Sequence, residues 1–371
     1  MKNLQKIKYQ SQDIDLLIKE KQSLVNDMEK EFSTGIAIYG AGSVGSWAVN
    51  YLKSIGAKVV CFIDRDPAKN GTKIEDVPVI MPDEISKYNF KSVFIAARHA
   101  VKQVMDNLAH NNLNMISFDG YFVIKNYERL SYVRDTLLED EKSVTVFNAI
   151  LFAMLTSSLQ SCYEVMEKDM YFSLPEFSGN FEEIFVDAGA FVGDSVERFI
   201  WENLGTFKHI YAFEPGERQF VALQKRMKRL SEEWAFTDDK VTLVKAGLGE
   251  KSTQMSYTFV EDFPIRHGLI SETSENSNKS EDKIQVCSLD EFLEGKEVTF
   301  IKVDIEGMEM DFLKGAKETI KKYRPKVAIC VYHYPSDLYE VAEYLKELIP
   351  DYKFKIRQHA PIFGDFVLYA Y

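Results

Sequence analysis

The chain has 371 residues, of which 46% are hydrophobic and 27% charged, as is typical of globular proteins of two or three domains. Its net charge of −12 argues against nucleic acid and anionic membranes as main partners, because both bind basic surfaces. The four cysteines are scattered without paired spacing, and no apolar run is long enough to span a bilayer. We therefore expect a soluble, cytoplasmic protein with reduced thiols and no membrane insertion.

Apolar residues recur at roughly helical spacing through the first 30 residues, among Lys, Glu and Gln. This pattern predicts an amphipathic helix that packs on its own domain, with a partner-binding coiled coil as the alternative. The sequence leaves the oligomeric state open, and a homodimer is among the alternatives.

The first chemical motif is a glycine-rich turn that follows an apolar strand at 35–39. It contains Gly40, Gly42 and Gly45, precedes a predicted helix, and is followed by a second strand that ends at Asp64. Glycines with this spacing let a pyrophosphate approach the backbone, and the acid accepts hydrogen bonds from a ribose. We therefore predict a nucleotide site in a Rossmann-like domain. The alternative is a turn that persists without a ligand.

Residues 33–123 resemble the nucleotide-binding domain found at the front of sugar-modifying acyltransferases and polysaccharide-biosynthesis proteins. The matching features are the glycine turn, the stretch 62–71 and the sequence Val77-Pro-Val79. The resemblance implies a nucleotide, nucleotide-sugar or NAD site in this domain.

A second unit of strand, turn and helix begins at Glu183. The apolar run 184–186 ends in Asp187, and Gly189 and Gly193 follow before a helical pattern, while the next strand ends in Glu214. An acid facing the turn repels phosphate but suits the ammonium of an amino acid, and Glu214 is placed to bind ribose hydroxyls. An amino-acid ammonium and a ribose together describe S-adenosylmethionine. A tight turn without a ligand is the alternative.

The second half of the chain shows five predicted strands with helical segments between most of them, and then a hairpin at 354–369. This arrangement is that of class I methyltransferases. An insertion between Gly249 and Val286 contains a polar run at 271–283, which indicates a substrate lid or a solvated loop equally. The predicted fold is α/β, with two Rossmann-like doubly wound domains at 1–125 and 179–371 joined by a helical connector at 126–178.

The stretch 300–316, Phe-Ile-Lys-Val-Asp-Ile-Glu-Gly-Met-Glu-Met-Asp-Phe-Leu-Lys-Gly-Ala, resembles the signature of the FkbM family of methyltransferases. Other family landmarks stand around it in order: Asp187-Ala-Gly-Ala-Phe-Val-Gly193, Ala212-Phe-Glu-Pro215, Ala246–Gly249, Ser288-Leu-Asp-Glu-Phe292 and His333. The resemblance covers 171–371. One departure is Phe191, where many members carry Asn, so this side chain makes no polar contact to a cofactor.

The resemblance implies S-adenosylmethionine-dependent O-methylation, usually of a hydroxyl on a sugar, glycan or secondary metabolite. Its cofactor residues are Asp187, Gly189 and Gly193 at the methionine end, Glu214 at the ribose, Gly247 in the turn that borders the adenine, and Asp304 facing the crevice. Asp304 and Glu306 are also implied to open onto the transferred methyl group.

The chemistry requires that an acceptor hydroxyl lose its proton, either to a base or with the help of a divalent cation. Asp304 and Glu306 could supply oxygen ligands, but the sequence shows no second carboxylate pair. We therefore expect no metal site, and a metal-independent transfer with His333 as the base and Asp304 orienting it. Glu309 is interpreted as charge at a helix start, and a loop role for His333 stays open.

Two other functions compete with a methyltransferase. The first is an NAD(P)-dependent or nucleotide-sugar-binding protein whose active domain is the front one, but that segment ends near residue 123, too short to include a distinct substrate domain, and no Tyr-x-x-x-Lys pair follows its glycine turn. The second is a non-catalytic module in which both crevices are vestigial, which the intact acids of the second half disfavour. The acceptor is expected to be a small molecule or a glycan.

Overall fold

The computed structural model of the protein describes residues 9–259, 267–270 and 282–371. The chain divides into two compact units. The first comprises Met1–Thr136, Asp140–Met166 and Ala360–Gly364, and the second comprises Leu137–Glu139, Glu167–His359 and Asp365–Tyr371. None of the helices in the described ranges combines the length and the apolarity needed to cross a bilayer.

The first unit contains a six-stranded sheet in the order β3-β4-β2-β1-β5-β6. Its strands are β1 (Ile36–Tyr39), β2 (Val59–Ile63), β3 (Lys73–Ile74), β4 (Val77–Ile80), β5 (Ser92–Ile95) and β6 (Asn114–Ser117). All neighbours pair in parallel except β3 and β4. Every residue of β1 and β5 is buried, as expected for central strands of a parallel sheet covered on both faces.

Seven helices accompany this sheet. They are α1 (Ser11–Lys30), α2 (Ser43–Ser54), α3 (Val101–Leu108), α4 (Phe118–Lys125), α5 (Tyr127–Tyr132), α6 (Glu141–Thr156) and α7 (Gln160–Val165). The leading helix α1 buries Ile14, Val25 and Met28 and contacts α4 and α6, which confirms the prediction of packing on its own domain. Most of the segment 126–178, which the sequence analysis assigns to a connector, forms helices of this first unit.

The second unit is built on a seven-stranded sheet in the order β16-β17-β15-β14-β7-β8-β9. These strands are β7 (Ile184–Ala188), β8 (His209–Phe213), β9 (Val241–Val244), β14 (Phe300–Val303), β15 (Lys326–Cys330), β16 (Phe354–Gln358) and β17 (Phe366–Ala370). The first five are parallel, and β17 runs antiparallel between β15 and β16. The predicted five strands and closing hairpin are confirmed.

The insertion after β9 forms a separate four-stranded sheet in the order β10-β13-β11-β12. Its strands are β10 (Gly247–Leu248), β11 (Thr253–Phe259), β12 (His267–Ile270) and β13 (Asp282–Cys287). Most of the polar run that the sequence analysis interprets as a lid or loop, residues 271–281, lies outside the described residues.

The described α-helices of this unit are α8 (Asp194–Glu202), α9 (Glu217–Trp234), α10 (Leu289–Leu293), α11 (Glu309–Gly315), α12 (Lys317–Tyr323) and α13 (Asp337–Leu348).

Aromatic side chains pack together at the centre of the second sheet. Phe185 of β7 stacks on Phe199 of α8 with ring centroids 4.3 Å apart, and Phe300 of β14 lies 4.9 Å from Phe185. This packing joins the amino-terminal halves of β7 and β14 to each other and to α8.

Two glycines of the front turn differ in what surrounds them, which gives a matched pair of substitutions. A Cβ at Gly45 would lie 2.0 Å from the carbonyl oxygen of Gly40, whereas a Cβ at Gly42 meets no described atom within 4 Å. Gly45→Ala should therefore lower the free energy of unfolding by about 1–3 kcal/mol. Gly42→Ala should stay within about 0.5 kcal/mol of the wild type.

Denaturant unfolding of both variants checks this expectation. Equal losses of stability in Gly42→Ala and Gly45→Ala would contradict the difference in packing.

Candidate functional site

A cavity of about 260 Å³ opens at the carboxyl ends of β7, β8 and β14. Its walls come from the glycine turn after β7, the acid after β8, the strand β10 and the loop after β14. Ligands bind at this edge of open α/β sheets, because the loops that follow the strands meet there.

Close backbone contact shapes the glycine turn. Gly189 has a φ of +86°, and a Cβ there would lie 1.9 Å from the carbonyl oxygen of Asp304. A Cβ at Gly193 would lie 2.7 Å from Cδ1 of Leu223 in α9. Gly189 lines the cavity, and Gly193 lets the turn pack against the helix behind it. Both glycines are therefore needed for the shape of the turn.

Asp187 is fully buried and does not line the cavity. Its side chain forms an ion pair with Lys302 of β14 at 2.9 Å and accepts a hydrogen bond from Ser195. Lys302 also donates to the carbonyl oxygen of Gly189 at 2.7 Å. Burial raises the pKa of Asp187 although Lys302 opposes the shift. Asp187 is thus paired with Lys302 away from the cavity wall, which argues against its predicted place at the methionine end, and that role stays a prediction.

Glu214 lines the cavity with a buried carboxylate. It accepts hydrogen bonds from the backbone N–H of Phe191 at 3.0 Å and of Gly216 at 2.7 Å, one on each oxygen. Burial raises its pKa to about 7, although the two N–H groups oppose the shift. The backbone N–H of Phe191 thus binds Glu214 at the site. The absence of Asn at this position therefore removes only a side-chain contact. Each oxygen of Glu214 retains a lone pair for a further donor.

Gly247 lies in β10 and lines the same cavity together with Ala246 and Leu248. A Cβ at Gly247 would meet its nearest atom, of Val286, at 3.5 Å, which is ordinary contact. This small apolar wall is compatible with a flat ring.

Asp304 follows β14 and lines the cavity. It accepts hydrogen bonds from the hydroxyls of Tyr171 at 2.8 Å and Tyr332 at 3.1 Å. Burial would raise the pKa of Asp304, but the charges of Lys302 and His333 outweigh it and hold that pKa below its usual value. Burial raises the pKa of both tyrosines, so they keep their protons and act as donors. Asp304 is therefore an ionised carboxylate in a fixed orientation.

His333 lies behind Asp304 and does not line the cavity. Its Nδ1 is 3.0 Å from Glu309, and its Nε2 is 3.7 Å from oxygens of both Asp304 and Glu306. Burial works against its charge, but these carboxylates raise the pKa of His333 to about 10. At neutral pH the ring therefore holds its proton and lacks the lone pair of a base. This raised pKa argues against the expected role of His333 as the base, which stays a prediction.

Glu306 also lines the cavity, and half of its side chain is exposed. It has a φ of +59°, a backbone conformation that few residues other than glycine adopt. Burial raises the pKa of Glu306 to about 7, although His333 opposes the shift. A strained backbone conformation such as that of Glu306 is found where the surrounding structure holds a side chain in a required position.

Five residues near the cavity are not predicted as site residues from the sequence. They are Tyr171, Lys302, Glu309, Tyr332 and Asp365, and all of them except Glu309 line the cavity. A lysine inside an otherwise apolar strand was a signal for a buried ion pair. The tyrosines gave no local signal, because their hydroxyls reach Asp304 only after folding. Glu309 has 1% exposure, so the interpretation as charge at a helix start misses its contact with His333.

In the first unit the structure brings the predicted nucleotide-site residues together. Asp64 accepts hydrogen bonds from the backbone N–H of Ala41 in the glycine turn at 2.8 Å and from Lys69 at 3.1 Å. Burial would raise the pKa of Asp64, but its hydrogen bonds outweigh it and lower that pKa. The acid thus holds the turn in place, and the space beside Gly42 is open.

Two family models match separate parts of the chain. The model described as methyltransferase FkbM domain matches residues 187–356, in the second unit. The model described as C2185-like, N-terminal matches residues 33–117, in the first. The second match covers the whole six-stranded sheet, and the first covers most of the seven-stranded sheet but not β17.

Among solved structures, a methyltransferase FkbM from Methylobacillus flagellatus KT is similar to 97% of this chain and 98% of its own. The TM-score is 0.59 and the sequence identity 22%, so the likeness concerns the fold.

Two curated proteins match shorter stretches. Methyltransferase 1 of Beauveria bassiana is 28% identical over 167 residues, which are 36% of this chain and 65% of that protein. The redox-sensing transcriptional repressor Rex of Anoxybacillus flavithermus is 36% identical over 62 residues, which are 16% of this chain and 29% of that protein. The chain thus spans less than two thirds of the length of either relative.

The family match at 187–356 contains most of the residues that line the cavity at the carboxyl edge of the sheet. The second unit carries the FkbM methyltransferase domain, a domain of S-adenosylmethionine-dependent methyltransferases, and the first carries a C2185-like N-terminal domain.

Proposed function

We propose that the protein transfers a methyl group from S-adenosylmethionine to a hydroxyl of a sugar, a glycan or a related metabolite. The observation that carries this proposal is a group of carboxylates, Asp304, Glu306 and Asp365, on the wall of the cavity that also contains Glu214. Carboxylates accept hydrogen bonds from hydroxyls and repel phosphates and other acids. A neutral polyhydroxylated acceptor from polysaccharide biosynthesis has this chemistry.

The residues around the cavity fit the cofactor that the family uses. Glu214 offers lone pairs to the two ribose hydroxyls, and Gly247 with its neighbours offers an apolar wall to the adenine. Gly189 leaves the backbone of the turn open to the methionine part. When bound, S-adenosylmethionine supplies a methyl group that is already strongly electrophilic.

The chain itself has to orient the acceptor and remove its proton. Asp304 is held by two tyrosine hydroxyls, so its remaining lone pairs have fixed directions and align the acceptor oxygen. Glu306 is accessible from the cavity and is the carboxylate we assign to proton removal.

The activity prediction concerns these two carboxylates. Asp304→Asn and Glu306→Gln should each lower kcat about 100-fold or more, because the hydroxyl then keeps its proton or loses its alignment. Asp311→Asn, an exposed acid in α11, is the matched control and should retain activity. The measurement uses the full chain, radiolabelled methyl donor and a panel of sugars and glycans. Transfer only to amines or thiols, or full activity in both variants, would contradict the proposal.

The cofactor prediction concerns Glu214. Glu214→Gln should weaken S-adenosylhomocysteine binding by about 1–3 kcal/mol, roughly tenfold to a hundredfold, because an amide accepts fewer hydrogen bonds. The exposed Glu217 in the first turn of α9 provides the control Glu217→Gln.

The carboxylate of Glu214 should also make the affinity for S-adenosylhomocysteine depend on pH. Its pKa is about 7 in the free protein, with Lys302 and Asp187 as the nearby charges, and the ionised form binds ribose better. Affinity should therefore rise from about pH 6 to about pH 8 in the wild type, and this rise should be absent in Glu214→Gln. Calorimetry at each pH measures both effects. A flat profile in the wild type would remove Glu214 from the ribose site.

We further propose that the first unit binds a nucleotide, a nucleotide-sugar or NAD. The specific observation in favour is Gly42, beside which no described atom would meet a Cβ, so protein packing does not require a glycine there. Close approach of a phosphate does require one.

The test is thermal unfolding of the full chain with NAD(H), UDP-sugars and free nucleotides. One of these ligands should raise the melting temperature in the wild type and should fail to do so in Gly42→Ala. If none of them shifts the wild-type transition, the domain is structural.

A further inference from the structure

The ends of the neighbouring strands β14 and β15 bring three metal-ligating side chains together. Asp304 follows β14, Glu309 begins α11, and His333 follows β15. One donor atom from each lies within 4.8 Å of the other two. Bonds of about 2.0–2.3 Å to a common ion place its donors at most about 4.6 Å apart. A small adjustment of these side chains therefore suffices to surround a single ion.

Glu309 supplies an independent observation that indicates a ligand. Its side chain has 1% exposure, and one oxygen accepts a hydrogen bond from the backbone N–H of Ile305 at 3.1 Å. The other oxygen, Oε2, is buried without a hydrogen-bond partner among the described residues. A buried carboxylate oxygen without a partner is costly, and a cation would satisfy it.

We propose that Asp304, Glu309 and His333 bind one divalent cation. Two carboxylates and an imidazole suit Mn²⁺ well and also accept Mg²⁺. Oxygens of Asp304 and Glu309 lie 3.7 Å and 3.0 Å from the two ring nitrogens of His333, so the three side chains already face one another. Of the three proposed ligands only Asp304 lines the cavity, so the ion would act on the site through this carboxylate.

A divalent ion bound to Asp304 would add positive charge beside the acceptor and would thereby favour the loss of the hydroxyl proton to Glu306. This task depends on the proposed hydroxyl transfer, whereas the ion site itself does not. The sequence predicts no metal site, because only Asp304 and Glu306 offer carboxylates near the methyl group. Folding adds Glu309 and His333 to the set.

The test measures Mn²⁺ binding to the full chain without methyl donor or acceptor. Protein freed of metal by chelation and dialysis is titrated with Mn²⁺, and electron paramagnetic resonance reports the free ion. We expect one Mn²⁺ per chain with a Kd below about 1 mM. Glu309→Gln and His333→Gln should weaken binding at least about tenfold, whereas Asp311→Asn in the same helix should leave it unchanged.

Thermal unfolding verifies that each variant is folded. If Glu309→Gln or His333→Gln does not fold, the Asp304→Asn variant is titrated with Mn²⁺ in its place. No bound ion at about 1 mM Mn²⁺, or equal binding by Asp304→Asn and the wild type, would overturn the proposal. Because neither donor nor acceptor is present, a failure to methylate hydroxyls would not affect this result.

Discussion

The close contact between the glycine turn after β7 and the residue after β14 organises the methyltransferase site. At Gly189 there is no room for a side chain against the carbonyl oxygen of Asp304. The side chain of Lys302 binds both the carboxylate of Asp187 and the carbonyl oxygen of Gly189. The glycine turn after β7 and the strand β14 are thus joined through one buried lysine. A shift of either strand would change the distance between them.

Charge in this site is arranged around two buried cations. Lys302 compensates Asp187, and His333 is surrounded by Asp304, Glu306 and Glu309. The second group has more negative than positive charge. This imbalance explains both the raised pKa of His333 and the attraction that we infer for a divalent ion.

The order of strands and the glycine turns could be predicted from the sequence, because apolar runs and glycine spacing are local features. The partner of Asp187 could not, since it depends on register: Lys302 lies directly opposite it in the parallel pair of β14 and β7. The role of Glu309 was missed for a similar reason. Its burial depends on the strand β15 and the loop that carries His333, far along the chain. Local patterns thus gave the scaffold, whereas the pairing of charges required the tertiary structure.

The hydroxyl of Tyr171 shows that residues outside the family match contribute to the site. This residue precedes β7 and lies before the range 187–356 that the family model matches, and Asp365 and the strand β17 lie after it. Yet Tyr171 orients Asp304, and its own backbone N–H donates to Tyr369 of β17. A truncated protein cut at the edges of the family match would keep Asp304 and Tyr332 but lose Tyr171, Asp365 and β17. A fragment that carries the complete site therefore has to extend beyond 187–356 at both ends.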